Sequence, residues 1–375
     1  MELELTADQV ALGESVRAFV EVECPMPLVR RVVEEGKEAD ELWARMVELD
    51  WPALTVPEEY GGIGLGQVEL AVVAEELGRV LCPAPYLSTA AQFVPVVRQA
   101  GSPEQRQRFL GAVAAGEISG TLAISEGSGR FDVGDIAATA EPSGDGWRLR
   151  GQKHYVFDAA RVDEVIVAAR LEGTTGADGI ALFVVPHSAL SVVPMHSLDA
   201  SRQLATVDLD GVEVEAGRAL GEPGQGGPAL AAAMGQAVTA MAAEMVGTSQ
   251  AIFDIVHAYV TGREQFGVKI GSFQAVKHKL ANMFVALESA RATTYFAAAA
   301  IDEDDPRAEA AVWTAKASAG DCQKLMAQEG IQCLGGIGYT WEHDMHLYVK
   351  RQKVQAAVFG TAATHRAALA AHLGL

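Results

Sequence analysis

Residues Arg263 to His278 read REQFGVKIGSFQAVKH. Within four positions they supply a permanent cation (Arg263), an amide (Gln265) and an aromatic ring (Phe266), and after a short turn Phe273-Gln274 reads as the start of a new helix. A ligand with phosphate at one end and a flat apolar ring at the other needs this set, because the guanidinium and amides donate hydrogen bonds while the ring packs. A purely structural role for Arg263, on the C-terminal dipole of the preceding helix, is the competing reading. A second block, Gln332 to Tyr348, reads QCLGGIGYTWEHDMHLY. Gly335, Gly336 and Gly338 let backbone approach a ligand closely, although a left-handed turn between two helices also favours glycine. His343 and His346 stand among acidic residues at a spacing that could ligate zinc, but no third ligand is nearby, so no metal is expected.

Several regular elements are needed to hold these blocks. Thr6-Ala-Asp-Gln opens a helix whose apolar residues recur at helical spacing through Val22, and Trp43 to Leu54 continues the pattern. Val56 to Gly66 is a loop broken by proline and glycines, and Gln67 to Val80 is helical again. From Ile118 to about Ala216 the period shortens to alternation. Trp147 to Gly151 predicts a strand running into a turn, and Val165–Ala169 and Ile180–Val185 predict short buried strands, as in a small barrel or sandwich. Glu222 to Pro228, EPGQGGP, is a glycine-rich hinge without the spacing of a phosphate-cradling fingerprint. Ala-rich helices follow to the end and predict a four-helix bundle with a helix-to-helix oligomer interface. The expected division is 1–117 helical, 118–218 β, and 228–375 helical.

Acidic residues exceed basic ones by 49 − 29 = 20. That argues against a broad nucleic-acid surface but leaves room for a local basic pocket for an anion such as coenzyme A. The most apolar stretch, Pro228 to Phe253, is interrupted by Gln236, Glu244 and Gln250 and reads as a buried helix, so no membrane span is expected. No basic start precedes an apolar run, and the four cysteines lack zinc or redox spacing, so a cytoplasmic protein with reduced thiols is expected.

The REQFG block, the GGIGY block and the helical–β–helical order together resemble the acyl-CoA dehydrogenase family over nearly the whole chain. The resemblance implies an α+β fold with an N-terminal helical domain, a middle β-domain and a C-terminal four-helix bundle. It implies FAD as cofactor, an acyl-CoA thioester as substrate, electron-transfer flavoprotein as redox partner, and a tetramer. In that family the Arg-x-x-Phe-Gly segment contacts a flavin seated mainly in the neighbouring subunit. Carried over by position, the flavin contacts are Arg263, Gln265, Phe266, Gln274, Gln332, Gly335, Gly336 and Thr361, with Ser125 and Tyr155 in the middle domain.

The chain also departs from the family pattern. The usual Thr-Glu-Pro-x-Ala-Gly-Ser-Asp loop is Ser125-Glu-Gly-Ser-Gly-Arg-Phe-Asp132, so Phe131 replaces a small hydroxyl. Tyr155-Val156-Phe157 stands where a Trp-x-Thr packs on and hydrogen-bonds the flavin, and Phe157 has no donor. The family's chemistry is α,β-dehydrogenation, in which a carboxylate removes the α-proton. Its two usual base positions are Phe359, before Gly360-Thr361, and Ala237, and neither residue can accept a proton. Glu244, seven residues beyond Ala237, is the nearest substitute, but it lies roughly 10 Å farther along a helix, and a carboxylate paired with a neighbouring helix is the competing reading. Three functional readings remain open at this point. One is an acyl-CoA dehydrogenase-type subunit, either a homo-oligomer with a relocated base or the partner that lacks the base in a two-chain tetramer. Another is a flavin-dependent monooxygenase of the same fold. The third is a structural subunit without flavin.

Overall fold

The computed structural model describes residues 4–375. They fall into two compact units. The first comprises the segment up to Lys37, Gln67–Pro83 and Val238–Leu375; the second comprises Glu38–Gly66 and Ala84–Ala237.

The N-terminal third is helical, as its periodicity requires. Helix α1 (Ala7–Glu23) starts at Thr6 because a capping box closes there: Gln9 N donates to Thr6 Oγ1 and Thr6 N donates to Gln9 Oε1. Helix α2 (Met26–Glu35) follows Pro25 and stops at Gly36, whose φ of 66° a Cβ would disfavour. Helix α3 (Asp40–Glu48) is shorter than the pattern from Trp43 to Leu54 predicts. Asp50 turns left-handed at φ 58°, and Pro52, which has no N–H for an α-ladder, joins a 3-10 turn over Trp51–Ala53. Helix α4 (Gln67–Arg79) follows the glycine-rich loop. A π-helical turn over Leu87–Phe93 leads into α5 (Val94–Ala100), and Ser102 caps α6 (Pro103–Ala114).

The second unit holds the β-structure. Its strands are β1 (Gly120–Ala123), β2 (Thr139–Ser143), β3 (Gly146–Arg150), β4 (Gln152–Phe157), β5 (Glu164–Leu171), β6 (Ile180–Pro186), β7 (Ser191–Pro194), β8 (Leu204–Asp208) and β9 (Val212–Val214). Strand β5 is the hub: β1 and β2 pair with it in parallel and β6 antiparallel, while β3 joins β2 to β9. Strands β4, β8 and β7 form a separate antiparallel sheet. Leu149, Val156, Val167, Phe183 and Val207, drawn from both sheets, pack into one apolar core. The predicted strands at 165–169 and 180–185 lie within β5 and β6, both almost wholly buried.

The first unit is helical: α1, α2, α4, most of α7 (Gly227–Gly262), then a two-strand hairpin, β10 (Glu264–Gln265) and β11 (Val268–Lys269), and α8 (Gln274–Asp302), α9 (Ala308–Leu334), α10 (Met345–Ala357) and α11 (Ala362–His372). Helix α7 is long and apolar enough to cross a membrane, but 78% of its most apolar window is buried, which makes it a core helix here. It crosses α4 at glycines. A Cβ on Gly78 would lie 2.2 Å from the Glu244 carbonyl oxygen, and one on Gly247 would lie 1.8 Å from that of Glu75. The Thr248 hydroxyl bridges the same crossing, donating to the Gly78 and Glu244 carbonyls. Among the cysteines, scattered in sequence, Cys24 and Cys82 come together buried and without a disulfide, and the hydrogen bond between them, followed by burial, pushes the Cys24 thiol up.

Candidate functional site

Arg263 ends α7, and the chain turns at once through β10 and β11, so Arg263, Gln265 and Phe266 sit on one exposed hairpin. Its two-residue loop has φ 54° at Phe266 and 78° at Gly267. Two consecutive left-handed residues make a tight hairpin turn, a place for Asn, Asp or Gly. A phenylalanine there is strained, and this one is also 94% exposed. Among the described residues its ring neighbour is Phe273, at 6.3 Å. The Arg263 side chain makes no hydrogen bond or ion pair among the described residues, and neither does that of Gln274 or Gln332. The Gln265 amide donates to the Glu264 carbonyl, and a Glu264–Lys269 pair ties the two strands. Beside the hairpin opens a groove of about 390 Å³ with Val260, Val276 and Leu280 in its wall and His257, Lys269 and Lys277 at its polar edge.

The second block lies in the same unit. Helix α9 ends where Gly335 takes φ 65° and ψ −139°, a combination that side-chain-bearing residues avoid. Nothing lies within 4 Å of where a Cβ on Gly335 or Gly336 would sit, so both present bare backbone to open space. Farther on, Trp341 is stacked on His346 at 4.4 Å and lies under the Lys350 ammonium, while its Nε1 donates to Glu34. His343 precedes α10, and its Nδ1 accepts from Met345 N, so the two histidines do not occupy successive turns of one helix. No group of three metal-ligating side chains occurs among the described residues.

The Val358–Thr361 turn joins α10 to α11. Phe359 has φ 57° and Gly360 φ 93°, and the Phe359 side chain is buried. His365 Nε2 lies 2.8 Å from the Phe359 carbonyl. Burial lowers His365 to about 4, so its ring is neutral and Nε2 carries the proton that the carbonyl receives. Thr361 caps α11, its hydroxyl accepting from Thr364 N. Glu244, in the middle of α7, is fully buried with its carboxylate 2.9 Å from Arg351 Nη1, and Arg351 is itself fully buried and donates through Nη2 to the Leu81 carbonyl.

In the second unit, Ser125 follows β1 and its buried hydroxyl has no partner among the described residues, an orphan that a bound group could satisfy. The next residue is fully engaged: the Glu126 carboxylate accepts from Ala137 N, Ala138 N and Lys153 Nζ. Burial works to raise Glu126, but the Lys153 ammonium and the two amides outweigh it and hold the carboxyl low. Burial pulls Lys153 down to about 8 against the pull of Glu126. A register shift between Lys153 and Val156 leaves Tyr155 at φ 57°, and a Cβ on Gly129 would lie 3.4 Å from its ring. Phe157 is buried with the Arg202 guanidinium 5.3 Å from its ring centre, so its own chain occupies one face. Ala237 is buried on α7.

Arg263, Gln265, Phe266, Gln274, Gln332, Gly335, Gly336, Phe359, Thr361 and Glu244 thus lie in the first unit, and Ser125, Tyr155 and Ala237 in the second. The sequence reading missed Arg351, Lys316, His365 and Lys153, which hold the loops in place. For Lys316 a charge in an Ala-rich helix was a weak signal, whereas Arg351, Lys153 and His365 stand among polar neighbours and gave none. Among the described residues the Arg263, Gln274 and Gln332 side chains have no hydrogen-bond or ion-pair partner and the Phe266 ring is uncovered, so these groups are available to a ligand.

Family models for the acyl-CoA dehydrogenase N-terminal, middle and C-terminal domains match residues 6–117, 121–212 and 224–374. The chain is 31% identical over 332 residues to the mitochondrial 2-methylacyl-CoA dehydrogenase of Solanum tuberosum, an alignment covering 87% of this chain and 80% of that protein. The solved glutaryl-coenzyme A dehydrogenase with glutaryl-CoA superposes with a TM-score of 0.93 at 28% identity, covering 100% of this chain and 97% of that one. A chain of the ChsE4–ChsE5 complex from Mycobacterium tuberculosis superposes with a TM-score of 0.89 at 25% identity, covering 100% and 99%. With all three of its domains matched along the chain, the protein belongs to the acyl-CoA dehydrogenase family of oxidoreductases.

Proposed function

We propose that this chain is an acyl-CoA dehydrogenase-type subunit that contributes FAD contacts to a tetramer whose second kind of chain carries the catalytic base. The observation that carries this reading is the hairpin: a strained, uncovered Phe266 beside an uncommitted Arg263. Strained residues cluster at ligand clamps, and an exposed ring on such a turn is available to a bound group. FAD, when bound, supplies the acceptor for the hydride that leaves the acyl β-carbon. Arg263 would hold its phosphate, Phe266 would pack on its ring system, Gly335 and Gly336 would admit it close to backbone, and Gln265, Gln274 and Gln332 would donate to it. Within the second unit, Ser125, with its unpartnered hydroxyl, and Tyr155, packed on the loop after it, would be the middle domain's own flavin contacts.

The chain's own residues do not remove a proton well. Phe359 and Ala237 have no basic atom, and Glu244 is tied to Arg351 with both side chains fully buried. A base must reach its proton at about 3 Å, and Glu244 would have to break its pair first. Phe157, covered by Arg202, gives no donor to the ligand. A division of labour accounts for an available hairpin together with a missing base, and the ChsE4–ChsE5 structure is a complex of two chains, one of them similar to this one. The domain division 1–117, 118–218 and 228–375 and a cytoplasmic location belong to the same proposal, as does electron-transfer flavoprotein as oxidant of the assembly.

The test is co-expression with the chain encoded next to it, followed by mass and flavin stoichiometry. The expected product is a mixed tetramer with fewer flavins than subunits. A stable oligomer of this chain alone, with one flavin per chain that acyl-CoA reduces, overturns the two-chain reading.

A further inference from the structure

Lys316 on α9 is 1% exposed, and no carboxylate pairs with it among the described residues. Its Nζ lies 2.8 Å from the Gln355 carbonyl and 3.1 Å from the Gly360 carbonyl. The first is one of the carbonyls that the end of α10 leaves without a helical partner, and the second belongs to the turn itself. A buried lysine without a counter-ion is costly, so the two carbonyls it joins must matter to the fold or to what the fold presents.

We infer that Lys316 is a positioning residue, whose bonds to Gln355 and Gly360 set the geometry of the Val358–Thr361 turn and, through it, the ligand contact of Thr361. The inference rests on the flavin reading above only for that last step. Three bonds converge on this turn from two helices: Lys316 from α9, and from α11 both His365 and the Thr364 amide, which Thr361 caps. Between them Phe359 and Gly360 are held left-handed in succession, a conformation a phenylalanine keeps only when its surroundings over-determine it. His365 grips the carbonyl of residue 359 and Lys316 that of residue 360, so the two grips fix the planes of the two successive peptides on either side of the Gly360 α-carbon. A lysine serving only to cap α10 would need the Gln355 carbonyl alone. Its bond to Gly360 ties the cap to the turn.

The experiment uses the flavin-loaded assembly and two variants, Lys316→Met, which keeps the length of the stem and loses every donor, and Lys316→Gln, which keeps a donor. Hydrogen exchange is read at the amides of Val358 and His365, which bond to the Val354 and Thr361 carbonyls. Flavin dissociation is read by fluorescence. In Lys316→Met, exchange at these two amides should rise about 10-fold while the middles of α7 and α9 stay at wild-type rates, flavin should bind about 10-fold more weakly, and Lys316→Gln should recover part of both. Wild-type exchange in the turn of Lys316→Met, or a loss of protection spread evenly over α9, α10 and α11, overturns the inference. If Lys316→Met does not fold, Gly360→Ala decides: its Cβ would lie 3.0 Å from His365 Nε2 at φ 93°, so it distorts the turn without touching the lysine. Unchanged flavin binding in that variant also overturns the inference. A wild-type assembly without flavin removes the functional reading, while the exchange arm still reports on the turn.

Discussion

The first unit contains two Phe–Gly turns with nearly the same backbone. Phe266 and Gly267 have φ 54° and 78°; Phe359 and Gly360 have φ 57° and 93°. Each phenylalanine sits where an L-residue is strained by about 1–2 kcal/mol. Their surroundings are opposite. Phe359 is 5% exposed and its turn is bonded by Lys316 and His365, whereas Phe266 is 94% exposed, with Phe273 as its ring neighbour among the described residues. In the first case the chain offsets the strain itself, through burial and hydrogen bonds. In the second the strands and the Glu264–Lys269 pair hold the turn while its ring stays uncovered, and the proposed function assigns that ring to a ligand or another subunit. Strain alone therefore does not mark a functional loop; what separates the two turns is an exposed ring.

The clamped turn hangs from α10, and α10 is rooted by Arg351. The largest effect is expected at that root. Glu244→Ala leaves the Arg351 guanidinium buried without its carboxylate and should lower stability by about 3–5 kcal/mol in urea unfolding. The double variant Glu244→Leu with Arg351→Met should recover most of that loss, because an apolar pair of similar volume suits a dry site. Recovery of stability with unchanged turnover in the assembly would also remove Glu244 as a relocated base.

The comparison itself is broken or kept by a matched pair of truncations. Phe359→Ala empties a buried site and should cost about 3 kcal/mol. Phe266→Ala removes an exposed ring and should change stability by less than about 0.5 kcal/mol, yet it should weaken flavin retention. Equal losses of stability at the two positions would show that the exposed ring packs within the chain after all. Arg263→Ala should follow Phe266: assembly and melting stay as in the parent, and flavin dissociates about 10- to 100-fold more readily, as expected when a hydrogen bond to a charged group is lost.

The order of helical, β and helical elements was legible in the sequence, because periodicity is a local signal. At Arg263, Gln265 and Phe266 the sequence offered residue types suited to a ligand and a short turn, and the structure puts them on a two-strand hairpin. The positive φ at Phe266 and Phe359 was not legible, since phenylalanine favours neither turn and glycine follows many residues. Glu244 shows a different limit. Its partner Arg351 lies 107 residues away, and only tertiary packing brings the two together. The helix over Trp43–Leu54 was over-extended for a local reason, as Pro52 and the left-handed Asp50 end it at Glu48. Lys316 is the plainest omission: a lysine in an Ala-rich helix reads as a solvated residue until packing shows it buried.

That buried lysine gives the smallest effect and the most direct reading of how the clamped turn is held. Burial lowers Lys316 from its ordinary 10.5 to about 7. Between those values the unfolded chain binds the proton that the folded chain has released, so this group makes stability rise with pH through that window. The slope is at most about 1.4 kcal/mol per pH unit for one proton. Lys153, lowered to about 8, adds a similar rise, so wild type must be compared with Lys316→Met, in which only the Lys153 contribution remains. From pH 7 to 8.5 the wild type should gain roughly 1 kcal/mol more than the variant in urea unfolding. The two carbonyl acceptors favour the charged form and oppose this gain. A difference that stays flat across the window would mean that the carbonyls of Gln355 and Gly360 keep the ammonium protonated, so that the grip on the turn is that of a full cation at every pH where the protein is folded.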